Sequence, residues 1–79
     1  MRLPRDIEGA ELAKRLETFG YRVVRRQGSH IRLRTEQNGE HNLTLVADRL
    51  KLGTLNRIST DVARHFQLTK DEVVRRLFE

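Results

Sequence analysis

The chain has 79 residues, of which 34% are charged and 37% are hydrophobic, and its formal net charge at pH 7 is +5. That length allows one domain, which we expect to span residues 1–79, and leaves no room for a second core. With no cysteine, the chain can form neither a disulfide nor a thiolate metal site. No stretch approaches the roughly 20 apolar residues of a membrane span, and the start lacks the apolar run of a secretion signal. The sequence therefore predicts a cytoplasmic protein that does not bind membranes.

The first predicted element is a helix. It begins near residues 7–10, where Asp6 can act as the N-cap, and apolar side chains recur at helical spacing over residues 12–19. Gly20 is suited to the left-handed position that ends a helix.

A first strand is predicted over residues 21–27, since β-branched and aromatic residues favour extended structure. Simple alternation places Tyr21 and Val23 on one face. The opposite face then carries Arg22, Val24 and Arg26.

The second predicted strand begins after a Gly28-Ser29 turn. Its apolar residues alternate with a polar face on which His30, Arg32 and Arg34 lie in line. Residues 37–40, with Asn-Gly at their centre, predict a hairpin turn that leads into a third strand over residues 41–46. Three antiparallel strands with one apolar face require a covering layer, which helices can supply.

Two further helices are predicted after a connector over residues 47–53. The longer one has Thr54 as its candidate cap and an apolar stripe at helical spacing. Thr69 and Glu72 have the spacing of a capping box, which predicts a short C-terminal helix. The expected fold is α+β, with helices on one face of a three-stranded antiparallel sheet.

The positive charge is concentrated around the second strand. Five arginines fall within thirteen residues that contain no acid, namely Arg22, Arg25, Arg26, Arg32 and Arg34. A local basic stretch of this kind is typical of phosphate binding. His41 and His65 are interpreted as exposed structural residues, with His65 on the outer side of its helix. The histidine spacing does not match a zinc motif, so no metal site is predicted.

Several motifs in this order resemble the HicA toxin family, also called YcfA-like mRNA interferases. They are Gly20-Tyr21, the run Arg26-Gln27-Gly28-Ser29-His30, and Lys51-Leu52-Gly53-Thr54-Leu55 opening a helix. The resemblance implies a fold like the double-stranded RNA-binding domain, with the order α-β-β-β-α. It also implies a metal-independent mRNA endoribonuclease toxin, cofactor-free, whose partner is a HicB antitoxin that occupies the toxin's site.

The resemblance makes His30 the candidate catalytic residue, because a histidine side chain ordinarily titrates near neutrality and can both accept and donate a proton. One departure concerns Asp48, which stands where many members carry Pro-x-His or Pro-x-Asn after the third strand. The predicted RNA contacts are Arg26, Gly28, Ser29, Arg32 and Lys51.

Two other interpretations stay open from the sequence. In the first, the same cationic surface belongs to a non-catalytic module that binds double-stranded RNA by shape and phosphate contact, with His30 as one more polar contact. In the second, the chain is a small interaction subunit whose basic face docks on an acidic protein.

Overall fold

A computed structural model describes residues 3–79, in which a three-stranded antiparallel sheet of order β1-β2-β3 carries its helices on one face. This is the predicted α+β fold, with the α-β-β-β-α order of the double-stranded RNA-binding domain and one more helix after it. The elements are α1 (Gly9–Arg15), a 3-10 turn (Leu16–Phe19), β1 (Arg22–Gln27), β2 (His30–Thr35), β3 (His41–Val46), α2 (Leu52–Phe66) and α3 (Lys70–Phe78).

The two hairpins of the sheet have short turns whose residues explain their shape. Gly28 has φ of +59° and Ser29 has no positive φ, a pattern typical of a type II′ turn. The second turn closes where the Gly39 N–H donates to the Glu36 carbonyl at 3.3 Å, with Asn38 at φ of +58°. It therefore lies one residue earlier than predicted.

The core lies between the sheet and the helices. Side chains of β2 and β3 that point toward the helices are buried, as the alternation predicts, and they meet the apolar stripes of the helices. On the other face no helix covers the strands, so His30, Arg32, Asn42 and Thr44 are exposed. The polar face of the sheet is thus open along its length.

The start of α1 is capped by the segment that follows β3 and not by Asp6. Glu8 is the N-cap residue and makes no side-chain hydrogen bond, so the predicted Asp6 cap is wrong. Instead, the N–H of Gly9 donates to the Asp48 carbonyl at 2.9 Å and that of Ala10 to the Ala47 carbonyl at 3.1 Å. These bonds satisfy two of the N–H groups that a helix start leaves free.

The predicted cap of α2 is wrong, and the predicted cap of α3 is confirmed. Lys51 is the N-cap of α2, so Thr54 lies inside the first turn and is not the cap. Thr69 and Glu72 form the predicted capping box: the Glu72 N–H donates to the Thr69 hydroxyl, and the Thr69 N–H donates to the Glu72 carboxylate, both at 3.1 Å. The Thr69 N–H and the Thr69 hydroxyl both donate to the Glu72 carboxylate and thereby lower the pKa of Glu72.

Within residues 3–79, no helix combines the length and the apolar character that crossing a membrane requires.

Candidate nucleic-acid interface

A one-residue bulge at Val24 changes the facing of β1. Arg25 pairs with Arg32, and Val23 pairs with Leu33, so Val24 is the extra residue between them. The bulge residue is 44% exposed on the free edge of the sheet. From this point on, the simple alternation expected for the strand is shifted by one residue.

The shift decides which arginine lies beside the histidine. Directly opposed residues of an antiparallel pair share a face of the sheet. Arg26 is opposite the buried Ile31 and so lies on the helix side, whereas Arg25 is opposite Arg32 and shares the open face with His30. The predicted alternation, which put Arg26 on the open face, is therefore wrong.

His30 borders a shallow hollow of about 170 Å³ on the open face. Arg25, Gln27, Arg32 and Thr44 contribute to its lining, and they come from all three strands. A guanidinium N–H of Arg25 donates to the Gln27 side-chain oxygen at 3.4 Å. The hollow thus combines an imidazole with two guanidinium groups, the side-chain types that move protons and bind phosphate.

Two pairs of opposed arginines lie on the open face, and they differ in charge balance. Arg22 opposes Arg34, and their guanidinium groups reach carboxylates: Arg34 lies 2.7 Å from Glu40 and 3.5 Å from Glu36.

Arg25 and Arg32 are the other pair, and within residues 3–79 neither forms a salt bridge. Like charges that face each other across a sheet are unfavourable. The pair beside His30 therefore has uncompensated positive charge, which an anion in the hollow would neutralise.

The remaining predicted contacts do not line the hollow. Gly28 is at the bare tip of the turn, where an added Cβ would meet nothing within 4 Å, and Ser29 is exposed beside it. The Ser29 carbonyl accepts from the Ala47 N–H at 2.7 Å, so its hydroxyl and N–H are the groups left for a ligand. Lys51 is exposed at the residue before α2.

Asp48 lies close to the same end of the sheet. His30 pairs with Val46, the last residue of β3, and Asp48 follows two residues later. Its side chain is exposed, while its carbonyl oxygen is held by the Gly9 N–H. The segment that departs from the family pattern is thus fixed to α1 by its backbone.

The other two histidines form a separate structural cluster with Tyr21. The rings of His41 and His65 stack with centroids 4.6 Å apart and an interplanar angle of 14°. The Nε2 atom of His65 is 2.9 Å from the Gln37 carbonyl oxygen and 3.0 Å from that of Gly39. His65 therefore holds the second turn against α2, and the prediction that it lies on the outer side of its helix is wrong.

Protonation in this cluster follows from its burial. Burial, together with Asp61, raises the pKa of Tyr21, and its hydroxyl oxygen is hydrogen-bonded to Nδ1 of His41 at 2.6 Å. Burial lowers the pKa of His41, His65 lowers it further, and Asp61 partly opposes both. Both histidines are partly buried, more than the sequence predicted, and neither lies at the hollow.

No three side chains of the His, Cys, Asp and Glu types come close enough to hold a metal ion in the part of the chain that is described. The structure therefore identifies no candidate ligand set there.

The sequence interpretation did not select four residues that line the hollow, namely Arg25, Gln27, Ile31 and Thr44. The position of Arg25 on the open face can be predicted from the two-residue turn. In a hairpin closed by Gly28 and Ser29, Gln27 pairs with His30, and counting back two residues on β1 brings Arg25 opposite Arg32. To predict Thr44 as a lining residue, one must know how β3 is paired with β2, and the second turn determines that register.

Comparison with known proteins gives one match. A family model described as the HicA toxin of bacterial toxin-antitoxin matches residues 9–68, a span of 60 of the 79 residues. The matched span runs from the start of α1 to just before α3 and includes the whole hollow. No curated protein and no solved structure matches the chain.

Proposed function

The chain belongs to the HicA toxin family of bacterial toxin-antitoxin systems, and on that premise we propose that it is a metal-independent endoribonuclease that cuts mRNA through His30. The observation that carries the proposal is the hollow on the open face of the sheet. There an exposed imidazole lies beside Arg25 and Arg32, the opposed arginines that form no salt bridge within residues 3–79.

RNA supplies its own nucleophile, so a small set of side chains suffices. In the proposed reaction His30 accepts the proton of the 2′-hydroxyl while the 2′-oxygen forms a bond to phosphorus. The bond from phosphorus to the 5′-oxygen then breaks, and the protonated imidazole or a water molecule gives that oxygen a proton. The products are a 2′,3′-cyclic phosphate and a 5′-hydroxyl. Proton transfer of this kind contributes roughly 10²–10⁴ in rate.

The cationic side chains act on the charge of the phosphate. Arg25 and Arg32 bind its non-bridging oxygens from opposite sides of the hollow and stabilise the extra negative charge that develops during the reaction. Gly28 lets the RNA backbone approach the turn closely, and Ser29 offers its hydroxyl and N–H. Arg26 and Lys51 are proposed to bind RNA phosphates outside the hollow.

The family has a cognate antitoxin, and we propose that a HicB-like antitoxin covers the hollow of this chain. Arg25 and Arg32 attract carboxylates as well as phosphates. An antitoxin that places acidic side chains there prevents RNA from reaching His30. The toxin is then expected to act in the cytoplasm, where mRNA is found.

The test is cleavage of a labelled single-stranded RNA in excess EDTA. Wild type is expected to cut the RNA and to leave a DNA copy of the same sequence intact, because DNA lacks the 2′-hydroxyl. His30→Ala is expected to lower the cleavage rate by roughly 10²–10⁴ with little change in RNA binding. Arg25→Ala is expected to weaken both binding and cleavage, and Arg57→Ala, which removes the same charge from an exposed position on α2, serves as its control.

Three results would contradict parts of this proposal. Cleavage that stops in EDTA would show that a metal takes part. Cleavage that survives in His30→Ala would assign the proton transfer to another group. If wild type and His30→Ala bind RNA equally and neither cuts it, the chain is the non-catalytic RNA-binding module.

A further inference from the structure

The arginine pair formed by Arg22 and Arg34 continues the open face beyond the hollow. His30, Arg32 and Arg34 succeed one another at every second residue of β2 and point to the same face. Successive residues on one face of a strand are about 7 Å apart, a step that one nucleotide of a single-stranded chain can span. The spacing of the basic residues along β2 thus matches the spacing that successive phosphates of an extended RNA strand can adopt.

The second pair has a hollow of its own. It measures about 340 Å³ and is lined by Gly20, Arg22, Arg34, Glu36 and Gln37. The Gln37 side chain packs against Gly20 at its edge, and the two guanidinium groups come from neighbouring strands. This combination has the size and the donors that a phosphate group requires.

Carboxylates hold these two guanidinium groups. Glu40 lies 2.7 Å from Arg34, and Glu36 lies 4.0 Å from Arg22. Both acidic side chains are more than half exposed, so water can solvate them after they leave the arginines. An exposed ion pair of this kind is weak, and a phosphate that comes with the rest of an RNA chain can replace it.

We propose that this second hollow is a subsite for the RNA phosphate next to the one that is cut, since Arg34 follows Arg32 at one step of about 7 Å along β2. The subsite rests on the proposed ribonuclease function, since it is defined relative to His30. It also gives the bound RNA a direction: on the other side of His30 the sheet ends at the Gly28-Ser29 turn. Phosphate contacts on the open face therefore extend to one side of the cleaved bond only.

The experiment uses oligonucleotides with one ribonucleotide in a DNA background, because the single 2′-hydroxyl fixes the position of the cut. Deoxynucleotides are added one at a time on the 5′ side or the 3′ side. We expect kcat/KM to rise by about 3- to 10-fold when the phosphate next to the cut one is added on one side. We expect a smaller rise on the other side, where the sheet ends at the Gly28-Ser29 turn.

Variants identify the residues behind this increase. Arg22→Ala is expected to remove the increase while leaving cleavage of the shortest substrate unchanged. Glu40→Gln is expected to enlarge it, because Arg34 then loses the nearer of its two carboxylate partners and keeps only Glu36. Arg57→Ala, an exposed arginine of α2, removes the same charge elsewhere and is expected to leave the increase intact.

Binding of uncleavable 2′-O-methyl oligonucleotides of the same lengths keeps the test independent of catalysis. The same increase is expected in affinity, on the same side and with the same response to Arg22→Ala. The subsite is refuted if added phosphates have equal effects on both sides, or if Arg22→Ala and Arg57→Ala change every length alike. If nothing is cut but the affinity increase is present, the subsite stands and the catalytic role of His30 fails.

Discussion

Replacing Gly9 with alanine is expected to destabilise the protein, although alanine is the better helix former. The reason is the close approach of α1 to the end of β3. A Cβ atom at position 9 would lie 1.6 Å from the carbonyl oxygen of Val46 and 2.7 Å from its carbonyl carbon. The neighbour is backbone in a paired strand, so no side-chain rotation relieves the overlap.

The size of the destabilisation follows from how far α1 and β3 must move apart. Helix and strand have to separate by roughly 1.5 Å to restore normal contact, which would break the hydrogen bonds of the Gly9 and Ala10 N–H groups to β3 and its following residues. Two lost hydrogen bonds cost about 1 kcal/mol each, and an overpacked site costs a further 1–3 kcal/mol or so. After a gain of up to about 1 kcal/mol for alanine in a helix, the net loss is about 2–4 kcal/mol.

The assay is urea unfolding followed by circular dichroism, with Gly53→Ala as the control. Gly53 is also in the first turn of a helix, yet its added Cβ would meet nothing within 4 Å. We expect Gly53→Ala to leave stability unchanged or to raise it by up to about 1 kcal/mol. If both substitutions stabilise the protein equally, the close contact between α1 and β3 does not exist in solution.

Three further predictions concern stability. The pKa of His41 is lowered in the folded state, so the free energy of unfolding should be highest above the ordinary pKa of about 6.5 and decline as pH falls through the lowered pKa. His41→Asn should flatten this decline in urea titrations at several pH values. An unchanged profile would exclude His41 as the source of the decline. Thr69→Ala should cost about 1 kcal/mol by removing the cap of α3, measured by thermal unfolding, whereas an equal midpoint would show that the cap contributes nothing. Thr35→Val should cost roughly 1–2 kcal/mol, because the buried Thr35 hydroxyl donates to the Phe19 carbonyl at 2.8 Å, and hydrogen exchange should rise around Phe19 rather than globally.

The elements that the sequence predicted well are those that local chemistry determines. β2 and β3 have one buried face, so alternation alone fixes their facing, and the observed strand bounds agree with the pattern. Gly20 adopts φ of +81° at the end of the 3-10 turn, as its position indicated. The capping box of α3 depends only on residues three apart and was equally visible.

The features that were missed depend on contacts between distant segments. The cap of α1 comes from the carbonyl groups of Ala47 and Asp48, which lie in a distant part of the sequence, so no local pattern shows it. His65 was expected to face outward because its own helix is amphipathic, but the second turn lies against it. Arg25 is different, because the two-residue turn is enough to predict that it lies opposite Arg32. Simple alternation along β1 gives the wrong face for it, since the bulge at Val24 breaks the alternation.

The bulge also makes β1 tolerant of a change in chain length. Val24 has no partner on β2, so its deletion would join Val23 to Arg25 in continuous alternation. Each remaining residue of the strand would keep the face that it now has, and Arg25 would stay opposite Arg32. Removing a residue of β2 would instead reverse the facing of every residue on one side of the gap. A shortened β1 is therefore compatible with the same arrangement around His30, whereas a shortened β2 is not.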